Sequence, residues 1–138
     1  MFMGEYIHSI DKKNRIIVPA KFRDELGESF VMTRGYDGCL YVFTTEGYEE
    51  FRSKNIGTFS INSPNARKLI RFFAPNPCEA DANGRVIIPE SLRNHAKIEK
   101  DIISVGLNDH IEIWDKSAWE AYTTSDEFMG NEFAEGLL

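Results

Sequence analysis

Polar and apolar positions along this chain change period twice, in the same order each time. Arg15-Ile16-Ile17-Val18 and Arg85-Val86-Ile87-Ile88 are β-branched runs that stop at Pro19 and Pro89, where the backbone has no N–H to give to a ladder. A polar tetrad precedes each run and ends in Asn14 or Gly84, where a tight hairpin turn requires positive φ. Asp-x-x-(Asn/Gly)-Arg therefore reads as a turn entering a strand. The prolines suit the first turn of a short helix carrying Phe22 and Leu26, or Leu92 and Ala96, at i, i+4 spacing. Two further strands follow, separated by Tyr36-Asp37-Gly38 or Asn108-Asp109. A helix burying Tyr48 and Phe51, or Trp119 and Tyr122, closes each copy. The predicted order is β-β-α-β-β-α, twice.

The two copies align residue by residue. Residues 10–23 lie over 80–93 with Asp, Arg, Ile, Pro and the final Arg identical, and after one inserted residue Val31 to Gly35 lie over Ile102 to Gly106. A unit of about 45 residues is too small to bury a sufficient core, so the halves are expected to pack on each other. Residues 60–73 belong to neither copy. Ser63 reads as an N-cap, Pro64 as the first helical residue, and Ala66, Leu69, Ile70 and Phe73 as one apolar helix face, ended by Pro75-Asn76-Pro77. Past Tyr122 the chain turns acidic and glycine-containing, and is expected to fray.

Composition narrows the function classes. With 42% hydrophobic and 28% charged residues, the chain is neither a disordered tail nor a fibre. No apolar run approaches the ~20 residues of a bilayer span, and the first residues lack a signal-peptide pattern, so a cytoplasmic protein is expected. Cys39 and Cys78 are the only thiols, without CxxC spacing, and are expected to be reduced and structural. His8, His95 and His110 occupy unrelated places in the repeat. They have no metal-ligand spacing and are expected at the surface or an interface. Nucleotide-binding and hydrolase motifs are absent from the sequence, so no enzyme, cofactor, metal or small-molecule substrate is expected.

Charge changes the picture through its distribution. The net charge of -6 argues against a polyanionic partner, but residues 1–75 hold 11 Lys and Arg against 9 Asp and Glu, whereas residues 76–138 hold 5 against 13. Residues 11–23 are the most basic stretch, with Lys12, Lys13, Arg15, Lys21 and Arg23 against Asp11 alone. A turn and strand presenting Lys12, Lys13, Asn14 and Arg15 offers cations for phosphates, a guanidinium for guanine O6 and N7, and an amide for adenine N6 and N7. Asp11 and Asp81 would orient Arg15 and Arg85. The plainer alternative for these pairs is a salt bridge tying off a hairpin. For Arg23 and Arg93 a structural ion pair weighs equally with a phosphate contact, and Arg67, Lys68 and Arg71 read as a solvated or subunit-facing helix stripe.

The two Asp-x-x-x-Arg copies with their apolar strand and proline, the opening Met3-Gly4-Glu5-Tyr6, and Phe30-Val31-Met32-Thr33-Arg34-Gly35 together resemble the MraZ family over residues 1 to about 123. The resemblance implies an α+β, mainly β fold of two tandem SpoVT-AbrB-type units. It implies a swapped-hairpin, double-split β-α-β barrel with an internal pseudo-two-fold and flanking helices. Mapped here, the units span 5–47 and 76–119, joined by helices in 48–75 and followed by a helix end and acidic tail in 120–138. The resemblance further implies a nucleoid-associated transcriptional regulator that forms ring-like homo-oligomers and binds short repeats in double-stranded DNA, in the promoter of the division and cell-wall gene cluster. Candidate DNA-binding residues are Lys12, Lys13, Asn14, Arg15 and Arg85. Ala82 and Asn83 stand where the first copy has Lys12 and Lys13. The alternative is an AbrB-like, antitoxin-type protein-interaction module.

Overall fold

A computed structural model describes residues 1–137. The elements are β1 (Phe2–Ser9), β2 (Arg15–Ile17), α1 (Ala20–Leu26), β3 (Ser29–Arg34), β4 (Leu40–Thr44), α2 (Thr45–Asn55), α3 (Pro64–Phe72), β5 (Asn76–Glu79), β6 (Arg85–Ile87), α4 (Glu90–Ala96), β7 (Asp101–Asn108), β8 (Ile111–Asp115), α5 (Lys116–Thr123), α6 (Asp126–Met129) and α7 (Glu132–Glu135). The order β-β-α-β-β-α thus appears twice in an α+β fold that is mainly antiparallel sheet. Pro19 and Pro89 sit one residue earlier than expected, as N-caps rather than in the first helical turn. Pro19 O accepts from both Phe22 N and Arg23 N, so a residue lacking an N–H still starts the helix through its carbonyl.

Six strands form one sheet in the order β1-β7-β8-β4-β3-β5, and β2 pairs with β6 in a separate two-stranded ribbon. Exchanging the halves element for element turns this order into its own reverse. The strands also trade places between halves: β1 runs antiparallel to β7 from Phe2 opposite Asn108 to Ser9 opposite Asp101, and β5 pairs with β3. Neither β1 nor β5 pairs with the strand that follows it in sequence. The expected local hairpin at the Asp-x-x-x-Arg turn is therefore not formed, because each turn carries the chain out of the large sheet into a ribbon shared by both halves.

The sheet is covered on both faces. Ile16, Val18, Phe22, Val86, Ile88 and Leu92 pack with Met32, Leu40, Val42, Ile102, Ile111 and Ile113 in the main core. Two smaller clusters, one around Val31, Phe43 and Tyr48 and one around Ile103, Val105 and Trp114, bring in α2 and α5. Tyr48 is buried as expected, with its hydroxyl donating to Phe73 O at 2.8 Å. Tyr122 is not, being 39% exposed against Trp114 and Phe128. On α3, Ser63 Oγ accepts from Ala66 N, Pro64 is the first helical residue, and Ala66 and Phe73 are buried. The segment after Tyr122, expected to fray, instead forms α6 and α7. Ser125 Oγ accepts from Phe128 N and caps α6, a signal hidden within the acidic run. No helix among the described residues is long and apolar enough to cross a membrane.

Candidate nucleic-acid interface

Each Asp-x-x-x-Arg turn is closed by its own aspartate. Asp11 Oδ1 accepts from Lys13 N and Arg15 N, both at 2.9 Å, while Oδ2 accepts from Arg15 Nε at 2.8 Å. Asn14 N donates to Asp11 O, and Asp11 N to Arg15 O. The second turn repeats the pattern, with Asp81 accepting from Asn83 N, Arg85 N and Arg85 Nε, all at 2.9 Å. The Arg15 backbone N–H above all, then its guanidinium and the Lys13 N–H, hold the Asp11 carboxyl below the usual carboxylate range. Asp81 is lowered in the same way by Arg85 and Asn83. Both turns stay charged and closed at neutral pH.

The expected positive φ is present at Asn14 (61°) and Gly84 (78°). The ribbon then clamps each turn to the opposite half: Val18 N donates to Gly84 O at 2.8 Å, and Ile88 N to Asn14 O at 2.9 Å. The turns thus lie at opposite ends of one ribbon. Its register sets Arg15 opposite Ile87, Ile16 opposite Val86, and Ile17 opposite Arg85. Period-2 alternation buries Ile16, Val18, Val86 and Ile88 and turns Arg15, Ile17, Arg85 and Ile87 outward.

Both arginines line one open groove of about 420 Å³, together with Asp81, Glu79 and Ile87. Of each guanidinium the aspartate engages only Nε, and among the described residues no protein acceptor takes the Nη hydrogens of Arg15 or Arg85. The salt-bridge reading and the base-reading geometry are therefore compatible: the carboxylate ties the turn through Nε and leaves both Nη groups of the guanidinium without a protein acceptor among the described residues. Lys12 and Lys13 are exposed on the first turn, Ala82 and Asn83 on the second.

Arg23 and Arg93 have no carboxylate within ion-pair distance among the described residues. Arg93 Nη1 donates to Ile88 O, whereas the Arg23 guanidinium lies across the Cα of Gly84, where an added Cβ would come within 2.5 Å of Cζ. This contact joins α1 of one half to the turn of the other, and no local sequence pattern reveals it. Gly84→Val should destabilise the fold by about 1–3 kcal/mol, because a β-branched residue resists φ of 78°. Gly84→Asn should cost less than Gly84→Val, since Asn14 adopts the same conformation in the other copy. Denaturant midpoints of the two variants check the order, and equal loss in both would assign Gly84 to space alone.

The remaining candidates are structural. Cys39 and Cys78 are buried free thiols, and burial pushes both pKa values up, away from nucleophilic thiolates. The histidines, expected at the surface or an interface, are all partly buried and bonded within the fold: His8 to Ser104 Oγ, His95 to Gly35 O, and His110 to Asp109 and Glu112. Ile17 and Ile87 stand beside the arginines as exposed apolar residues. The two runs read from sequence only as strand formers, although period-2 alternation within them is the signal that could have marked these positions as outward.

The family model described as "MraZ protein, putative antitoxin-like" matches residues 1–72 and again 72–135. The chain belongs to the MraZ family. It is 46% identical over 139 residues to "Transcriptional regulator MraZ" of Thermoanaerobacter sp. (strain X514), covering 99% of this chain and 96% of that protein. It is 45% identical over 140 residues to the protein of the same name from Ligilactobacillus salivarius (strain UCC118), covering 100% and 97%. MraZ is a family of transcriptional regulators, not of enzymes, and the twofold match of its model follows the repeat seen in strands and turns.

Proposed function

We propose that this chain regulates transcription by binding double-stranded DNA sequence-specifically through the β2-β6 ribbon and its two turns. The observation that carries the reading is the pair of aspartate-closed turns, which fix Arg15 and Arg85 by Nε on one outward face and leave their Nη edges free for base acceptors. In this reading Asp11 and Asp81 orient the arginines, Asn14 adds an amide, and Lys12 and Lys13 neutralise phosphates. A two-stranded ribbon has the width to enter a major groove. The strand exchange supports a swapped-hairpin, double-split β-α-β barrel, with units at 5–47 and 76–119, connecting helices in 48–75 and a helix end and acidic segment in 120–138. The targets are short repeats in the promoter of the division and cell-wall gene cluster, and the protein works in the cytoplasm on the nucleoid. Selection of duplexes from a random-sequence library by the full chain tests the core of the proposal: a recovered consensus supports it, and a pool that stays random overturns it.

Lys12→Ala or Lys13→Ala should weaken binding about equally on all sequences. The slope of log affinity against log salt should fall by about one unit per lost phosphate contact in each engaged subunit. An unchanged slope assigns these lysines to solvent.

Assembly into ring-like homo-oligomers follows from the charge balance in this reading. A subunit at -6 with one basic turn binds a polyanion weakly, whereas several ribbons on one face make later contacts intramolecular, and avidity exceeds single-site affinity by ~10²–10⁴. Light scattering should give a mass several times 15.8 kDa, and deleting repeats from the target one at a time should lower affinity far out of proportion. A monomer holding one repeat as tightly as the array would remove the oligomer from the proposal.

The second reading, an antitoxin-type protein-interaction module, draws on the words of the family model and on the exposed apolar side chains of the acidic segment, Phe128, Met129, Phe133 and Leu137. It requires a stoichiometric protein complex that survives removal of residues 11–15 as a binding surface. Retention of a partner protein by Arg15→Ala, together with a random selected pool, would favour it.

A further inference from the structure

The outward face of the ribbon holds two side chains that neither folding nor phosphate binding explains. Ile17 is 54% exposed and Ile87 is 58% exposed. They are equivalent positions of the internal repeat, and the register places Ile87 opposite Arg15 and Ile17 opposite Arg85. The four side chains form a two-by-two checkerboard, in which each isoleucine has a guanidinium as its direct cross-strand neighbour, with Cβ atoms about 5 Å apart. On an antiparallel ribbon with one solvated face, outward positions are ordinarily polar. Here the outward positions alternate between a fixed donor fork and a rigid branched hydrocarbon.

We propose that Ile17 and Ile87 read thymine, each packing on the C5-methyl of a thymine next to the guanine addressed by the neighbouring arginine. The inference rests on the DNA-reading proposal and extends it to a second base chemistry. The cations name the occupant: Arg15 and Arg85 flank the isoleucines with Nη groups that no protein acceptor takes among the described residues, and Lys12 and Lys13 are exposed at one end. Although Glu79 and Asp81 share the groove beside Ile87, the partner that supplies acceptors to all four cations is therefore a polyanion. Within the major groove, the thymine methyl is the one apolar group that the four unmodified bases present. The spacing agrees, since cross-strand neighbours about 5 Å apart reach adjacent base pairs rather than one. A β-branched side chain suits the task because it is stiff at χ1 and loses little freedom on contact.

The test uses the full chain and the duplex it selects from a random library, with each thymine replaced in turn by deoxyuridine. That change removes the methyl and keeps every hydrogen bond. Wild type should lose affinity roughly fourfold per methyl at one or two positions per repeat, and elsewhere not at all. The Ile17→Ala, Ile87→Ala double variant should bind the unmodified duplex more weakly than wild type and lose nothing further with deoxyuridine. Both positions are exposed, so its thermal midpoint should match wild type. Specific wild-type binding that ignores deoxyuridine at every position overturns the thymine inference and leaves the arginine reading standing. The same holds for an unreduced deoxyuridine penalty in the double variant. A random selected pool overturns both.

Discussion

Replacing Arg15 and Arg85 together by alanine should leave the chain folded and erase its preference for the selected duplex. Each bidentate arginine contact to a guanine is worth about 1–3 kcal/mol of discrimination, and an assembly that engages several subunits multiplies the loss. The fold should survive because both residues lie on the outward face of the ribbon, and their ion pairs join partly exposed groups whose contribution to stability is small. Binding to random DNA at low salt should persist, since Lys12 and Lys13 are untouched. Asp11→Ala should fall between wild type and Arg15→Ala: it keeps the guanidinium but frees its Nε and opens the turn. Gel retardation against matched specific and random duplexes separates these cases. If the double variant retards the specific duplex as wild type does, the ribbon is not the reading surface.

The first half alone should fail to give a cooperative monomer. In residues 1–55, β1 loses β7 along its whole length and β2 loses β6, which exposes Phe2, Ile16, Val18 and Phe22 where the other half covered them. The one turn in this fragment also loses its cross-half clamp, from Ile88 N to Asn14 O, and Val18 N loses its acceptor on Gly84. The expected result is a chain without a sharp thermal transition at low concentration. A sharp transition in a species of monomer mass would show that one half holds a sufficient core of its own, contrary to the strand exchange.

Local features of this architecture were legible because each depends on a few neighbouring residues. Asn14 and Gly84 declare positive φ, Ser63 and Pro64 declare a helix start, and the β-branched runs ending at Pro19 and Pro89 declare β2 and β6. The Asp-x-x-x-Arg turns could be picked out as a candidate site for the same reason. Partner choice was not legible. The two copies share a pattern, so β1 fits the β3 of its own half and the β7 of the other equally well on periodicity, and only the three-dimensional path of the turns decides between them. The contact of Arg23 with Gly84 is hidden for that reason, as it spans halves. The helices α6 and α7 were missed differently: acidic composition suggested a loose end, whereas Ser125 and the ring of Phe128 against Tyr122 supply a cap and a seat.

The sheet order that reads the same from either half has a consequence for direction. A dimer of two identical units carries one turn in duplicate, so any change in that turn appears at both ends of the ribbon, and the device has no front or back. Joining the copies in one chain releases that constraint. Here one end bears Lys12 and Lys13 and the other Ala82 and Asn83, a difference of two positive charges across an otherwise matched frame. A head built this way has polarity. Under the proposed function, such a head seated on a duplex would distinguish one heading from the opposite one, and a row of them would act as a set of arrows all pointing the same way along the helix.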